Sequence, residues 1–325
     1  MRIFVSGGAG YIGSATAEAL LKAGHSVTVY DSLVTGHAQA VPDGAQFFHA
    51  ALEDSITLSE AMSSQKFDAV MHFAAFIEAG ESMREPGRFY QNNFNNSLAL
   101  IELAMRSGVN RFVFSSTAAV YRSSEEPLTE ESPLGPTNVY GHTKLMIEQV
   151  LDWYRKIHGM HFSALRYFNA CGALPERGEA HQPESHLIPL VLQVALGKRK
   201  TASIFGTDYP TPDGTCIRDY IHIGDLLSAH LLALAALEEH DRLIYNLGSG
   251  NGFSVREVIE MARRVTGHPI PTVESPPRAG DSARLIASSD KIRRELGWDP
   301  QHDDLQDIIA SAWEWHKSHP EGYRK

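Results

Sequence analysis

Strand-like and helical segments alternate along the first 170 residues, and this alternation restricts the fold more than any other feature of the chain. "RIFVSG", "SVTVY", "AQFFHA", "DAVMHFAA" and "RFVFSS" are rich in β-branched and aromatic residues, while 12–23, 56–63, 89–106 and 140–156 carry apolar residues at helical spacing. Each strand–helix–strand passage needs a crossover, so the strands are expected to lie parallel in one sheet with helices on both faces. "MHFSALRYFNA" (160–170) reads as one more buried strand.

The chain has 325 residues, more than a single core usually holds, so two lobes are expected. Beyond residue 170 the texture changes. Residues 171–186 are rich in Gly, Pro, Glu and His, 206–215 form another turn-rich stretch, and shorter helices such as "SVREVIEMARRVTG" follow. The expected division is 1–170 and 171–325, with 216–240 placed to pack back onto the first lobe.

A formal charge of −10 has the wrong sign for a surface that holds nucleic acid, so a phosphate ligand must be gripped by a few placed groups. Cys171 and Cys216 are too few for a disulfide framework, which suits a reducing cytoplasm. "MRIFVSGG" is no signal peptide, and the apolar run 226–237 is too short to span a bilayer, so no membrane association is expected. The 16 histidines show neither H-E-x-x-H spacing nor a Cys-x-x-Cys partner, and no metal site is expected.

"GGAGYIG" places Gly7, Gly10 and Gly13 between the first strand and the first helix. Glycines there permit a tight turn and close approach of a pyrophosphate, which then sits on the helix N-terminus. Asp31 ends the second strand 18 residues after Gly13, where a carboxylate accepts from ribose hydroxyls and repels a 2′-phosphate. The reading is an NAD site on a Rossmann-like α/β fold, a doubly wound parallel sheet with a smaller mixed α/β C-terminal lobe. "NVYGHTKLMIEQV" (138–150) puts Tyr140 and Lys144 on one helix face, where a cation favours the phenolate form of a neighbouring tyrosine. On spacing alone, two ordinary surface residues are the favoured reading, since Tyr-x-x-x-Lys arises easily by chance in a chain with eleven tyrosines.

"GGAGYIGS", "YDSLVTGH", "HFAA", "GESMREPGRFYQNN", "FSSTAAVY", "YGHTKLMIEQ", "LRYFNACGA", "IFGTDYPTPDGTCIRDYIH" and "ELGW" together resemble the extended short-chain dehydrogenase/reductase family, over essentially the whole chain. Residues 204–222 are the part most specific to its nucleotide-sugar epimerases. The resemblance implies inversion at C4 of a UDP-hexose through a transient 4-keto sugar, with tightly bound NAD. In it Tyr140 is the acid/base, Lys144 binds the nicotinamide ribose and lowers the phenol's pKa, and Thr117 faces the C4 oxygen. Matching cofactor positions are Tyr11, Ile12, Asp31, Ser32, Leu33, Leu52, Phe73, Ala74, Ala75, Asn92, Ser115 and Phe168, beside the three glycines. Matching UDP-sugar positions are Asn169, His186, Leu187, Phe205, Arg218, Tyr220, Arg278 and Asp281. A homodimer is implied, built from helices near 89–106 and 140–156.

The chain departs from the family pattern at Ala51, where an adenine-contacting Asp is frequent, and at Ile77, where some members carry Lys. His186 replaces an Asn, and Arg122 a Gly. Leu285 falls where the resemblance puts one wall of the hexose site; a strand residue facing the core is the other reading. Several functions compete. A nucleotide-sugar dehydratase of this fold uses an Asp-Glu pair after the catalytic hydroxyl, and a sugar-acid decarboxylase a Glu in that stretch, where this chain has Ala118 and Ala119. An NAD-binding sensor without catalysis would not need Thr117, Tyr140 and Lys144 together. Epimerases of UDP-N-acetylglucosamine, UDP-xylose or UDP-glucuronate share these motifs and stay open.

Overall fold

The computed structural model describes residues 1–278 and 281–323. Its strands are β1 (Arg2–Ser6), β2 (Ser26–Asp31), β3 (Gln46–His49), β4 (Ala69–His72), β5 (Arg111–Thr117), β6 (His161–Tyr167), β7 (Asn169–Cys171), β8 (Ala202–Phe205), β9 (Ile217–His222), β10 (Arg242–Leu247), β11 (Gly252–Ser254), β12 (Thr272–Ser275) and β13 (Arg284–Leu285). Seven of them form one sheet in the order β10-β6-β5-β4-β1-β2-β3, with every pairing parallel. The strand order reverses between β1 and β4, the place where open α/β sheets leave a ligand crevice beyond the strands' carboxyl ends.

The runs "IFV" in β1 and "AVM" in β4 are buried throughout because helices cover both faces of the sheet. One face packs Ala17, Leu20, Leu226, Ala229, Ala233 and Trp298 against the strands; the other packs Leu58, Met62, Leu100, Ile101, Ile147 and Leu151. Helices Tyr11–Lys22, Ser55–Ser63 and Val139–His158 match the expected segments closely. The stretch expected as one helix over 89–106 is instead Pro86–Phe89, a π-helical turn Tyr90–Asn95 and Asn96–Arg106. Such widened turns leave the ordinary hydrogen-bond ladder and recur at functional sites. Here the turn carries Asn92 and the buried Asn93, whose amide clasps both backbone groups of Phe76 (2.8 and 2.9 Å).

A boundary at 170 does not separate the lobes. Helix Ile223–Ala236 packs on the large sheet, and β10 adds its outer strand beside β6, so the first lobe draws on residues well beyond 171. The second lobe gathers Val191, Leu192, Ile204, Val258, Ile259, Ile308 and Ile309 around helices Leu187–Ala195, Val255–Thr266 and Leu305–Ser318. β7 pairs with β9 at the seam. Among the described residues no helix is long and apolar enough to cross a membrane.

Candidate active site

The turn after β1 has the shape that its glycines allow. Gly7 adopts φ +76°, and a Cβ on Gly13 would stand 2.1 Å from the Gly7 carbonyl oxygen, so a side chain at 13 cannot coexist with this turn. The helix beginning at Tyr11 has no side-chain cap, which leaves its first N–H groups facing the crevice. Asp31 closes the neighbouring side, its two carboxylate oxygens accepting from the backbone N–H of Ala9 (2.9 Å) and Leu33 (2.8 Å). Burial pushes its carboxyl upward, and those two donors pull it back.

A cavity of about 980 Å³ runs from this turn across the sheet to the second lobe. Gly7, Gly10, Tyr11, Ile12, Gly13, Asp31, Ser32, Leu52, Phe73, Ala74, Ala75, Asn92, Ser115 and Phe168 all line it. Leu33 does not; it contributes its N–H to Asp31 from a left-handed backbone conformation, φ 58°. Ala51 and Ile77 are both in the wall, the first beside Glu53. The residues present therefore fit a dinucleotide: a glycine turn without side chains, open helix N–H groups and a carboxylate beside the turn.

Thr117 ends β5, and Tyr140 starts the helix Val139–His158. Asn138 caps that helix through the N–H of Gly141 (2.8 Å), and a Cβ on Gly141 would lie 2.3 Å from the Ala119 carbonyl oxygen. Only glycine lets the helix approach the strand end this closely, and the approach brings the Thr117 hydroxyl into a hydrogen bond with the phenol of Tyr140. Lys144 is 3% exposed, donates to the Ser115 carbonyl (2.7 Å) and lies 5.9 Å from the centre of the Tyr140 ring.

Burial pushes the Tyr140 phenol up to about 12 against the Thr117 hydrogen bond, with Glu78 adding to the rise, and brings Lys144 down to about 7. Both shifts come chiefly from burial, and a positive charge at Lys144 would favour the phenolate beside it.

At the other end, Arg218 and Arg278 both line the cavity and both pair with Asp281, at 3.6 and 3.0 Å. Arg218 also donates to the carbonyls of Ile217 (3.0 Å) and Ser282 (2.7 Å), and Arg278 stacks over Phe205 (4.9 Å). Asn169, His186, Leu187 and Tyr220 complete this end, Asn169 bonding the Asp219 carbonyl at 2.7 Å. Two guanidinium forks in one wall suit a diphosphate. Leu285 is not in the wall: it pairs with Arg218 through β13 and β9 and packs on the cluster of Ala118, Leu145, Phe168 and Ala287. The core-facing strand reading holds for it.

Some residues near the site were missed from sequence. Glu148, one turn beyond Lys144, forms a buried two-pronged pair with Arg166 (3.0 and 2.6 Å) and accepts from Ser116, the neighbour of Thr117. Arg166 also bonds the Tyr121 hydroxyl (2.7 Å), which in turn donates to Asn246 (2.7 Å). The signal was the repeat of Tyr140, Lys144 and Glu148 at every fourth position. The fold also gathers Glu179, His181, Glu184 and His186, although no metal cluster was expected; their ligand atoms all lie within 4.8 Å of one another. The signal there was a short-range E-x-H-x-x-E-x-H pattern rather than a helical one.

A model of the NAD dependent epimerase/dehydratase family matches residues 3–248. The UDP-glucose 4-epimerase of Lacticaseibacillus casei is 47% identical over 327 residues, covering 99% of both chains. A crystal structure of a UDP-glucose 4-epimerase superposes with a TM-score of 0.96 at 49% identity over the full length of each chain. The Bifidobacterium longum enzyme, solved with NAD+ and UDP, gives 0.95 at 35% identity, covering 99% of this chain and all of that one. The glycine turn, the parallel sheet with its crevice and this family-wide match lead to one conclusion: the chain belongs to the NAD-dependent epimerase/dehydratase family.

Proposed function

We propose that this protein is an isomerase that inverts C4 of a UDP-hexose, interconverting UDP-glucose and UDP-galactose. The observation that carries the reading is a single cavity with a glycine turn and Asp31 at one end, Arg218 and Arg278 at the other, and Thr117, Tyr140 and Lys144 between them. NAD, when bound, supplies an acceptor for the C4 hydrogen that can return it to either face of the sugar. Tyr140 takes the proton of the C4 hydroxyl and gives it back after the face has changed. Thr117 donates to the phenol oxygen and fixes its direction, and Lys144 holds the ribose end and sets a positive charge beside the phenolate.

Arg218 and Arg278 grip the diphosphate, with Asp281 keeping both guanidiniums in place. The anchored nucleotide leaves the hexose free to turn, which inversion through a 4-keto sugar demands. Ala118 and Ala119, both without an ionisable group, give no acid or base for eliminating water, which weighs against a dehydratase. With Leu285 away from the wall, sugar size is set by other residues, and the N-acetylated sugars are tested alongside the plain hexoses.

The test is incubation of the purified protein with UDP-glucose, UDP-N-acetylglucosamine and UDP-xylose without added NAD, with products separated chromatographically. UDP-galactose at constant total nucleotide sugar is expected. Free NADH accumulating with a sugar acid would replace this reading with a dehydrogenase. We further propose a cytoplasmic enzyme of galactose metabolism that works as a homodimer. Support for the dimer comes from Trp153 and Ile157, which stand 60% and 66% exposed one turn apart on the helix of Tyr140. Trp153→Glu with Ile157→Lys should halve the mass measured by light scattering.

A further inference from the structure

We propose that Glu179, His181, Glu184 and His186 form a four-ligand site for a divalent transition-metal cation, zinc foremost, that clasps the loop between the two lobes. Glu179 Oε1 lies 2.9 Å from His181 Nδ1 and 2.7 Å from His186 Nδ1, and Glu184 Oε1 lies 3.0 Å from the same His186 nitrogen. Four donor atoms from four side chains therefore point at one spot. Imidazole nitrogens and carboxylate oxygens are both zinc ligands, and a zinc site filled by four protein ligands is tetrahedral. Ligands bound at about 2.0 to 2.1 Å stand about 3.3 Å apart in a tetrahedron, so atoms already gathered within 4.8 Å need to move little.

Two further features distinguish the cluster from an accident of surface charge. The Glu179 side chain is 5% exposed, and its carboxylate meets both His181 and His186. The two histidine rings lie between the two carboxylates, so a divalent cation at their centre would meet two neutral and two anionic ligands. Glu184 is held in position by the backbone N–H groups of Ser185 (2.7 Å) and His186 (2.8 Å), both onto the oxygen that faces the cluster, the kind of outer support that ligating carboxylates have.

The location says what the cation does. The loop reaches the first lobe through Arg177, which bonds the Ala40 carbonyl (2.6 Å) and Glu18 (3.0 Å), and through His37 on the Ala180 carbonyl (2.9 Å). It then enters helix Leu187–Ala195 of the second lobe, and Glu179, His181 and His186 line the cavity. With all four positions filled by protein, the cation is a clasp and takes no part in the proton transfer at Tyr140. Binding at Nδ1 also places the remaining proton of His186 on Nε2, giving the cavity wall a fixed donor.

The experiment uses the full-length protein purified with its cofactor, stripped with dipicolinate and dialysed into metal-free buffer. Titration with Zn²⁺ against a competing indicator should show one equivalent per chain, raise the melting temperature and protect residues 172–186 from limited proteolysis. Co²⁺ in its place should give the visible spectrum of a tetrahedral site. His181→Asn should weaken zinc binding by about 100-fold or more while its metal-free melting temperature stays with that of metal-free wild type. A wild type that takes up no zinc at saturation, or a His181→Asn protein that binds as tightly as wild type, overturns the proposal. Neither result bears on C4 inversion, which is read separately from the products.

Discussion

Tyr140 and Lys144 set the protein's response to pH. Burial holds the phenol up at about 12 and the amine down at about 7, and an opposite charge beside either group favours its ionised form. With Tyr140 as the base, turnover should rise with pH as the phenolate forms. In Lys144→Ala the phenol must ionise alone, so the profile should move upward by more than about two pH units and turnover at pH 7 should fall at least ~100-fold. A pH series of kcat on both proteins checks this, and an unmoved profile in the variant would remove Lys144 from proton control. At the other end of the cavity the sharpest test is Gly13→Ala. Its methyl group would overlap the Gly7 carbonyl, so the turn must open, and copurified NAD should be lost from a protein that still folds. Cofactor content by absorbance after denaturation reads it directly.

At the level of elements, the helix carrying Tyr140 is tied to β6 by a buried ion pair, and through Ser116 to β5, as well as by apolar packing. Glu148 and Arg166 are 4% and 3% exposed, and Ser116 and Tyr121 add one hydrogen bond to each partner. Glu148→Gln leaves the guanidinium buried without its counter-charge, which should cost about 3 to 5 kcal/mol in denaturant unfolding. It should also loosen the contact of Tyr140 with Thr117, so turnover should fall more than the affinity for the nucleotide. The elements themselves were legible because parallel strands covered on both faces read as short apolar runs, and because Gly7, Gly13 and Asp31 must stand where the sheet and the dinucleotide need them. The π-helical turn at Tyr90–Asn95 was not legible: its extra residue per turn answers to Asn93 reaching Phe76, a contact between distant segments. The same limit explains Leu285, whose place against Phe168 is set by β13 pairing with β9, and the Glu/His cluster, which exists only after the loop has folded back.

On the scale of the whole molecule, the first lobe is completed by the last third of the chain. A fragment ending at 170 lacks β10 and the helix Ile223–Ala236, which would leave β6 as a bare edge and uncover Val113, Leu165 and Tyr167. Such a fragment should be insoluble or lack a cooperative melting transition, checked by circular dichroism on the refolded protein. The binding lobe is built in two passes, one before β10 closes the sheet and one after it, so the chain leaves the first lobe twice. For a lineage exploring new sugars this governs what recombination can do. A single exchange between two related genes near codon 170 would transfer the sugar-binding surface together with the sheet's outer strand and a covering helix, which must then fit a foreign core. Two exchanges would still have to spare both, so novelty in the pocket is more readily inherited as scattered single substitutions than as a transplanted module.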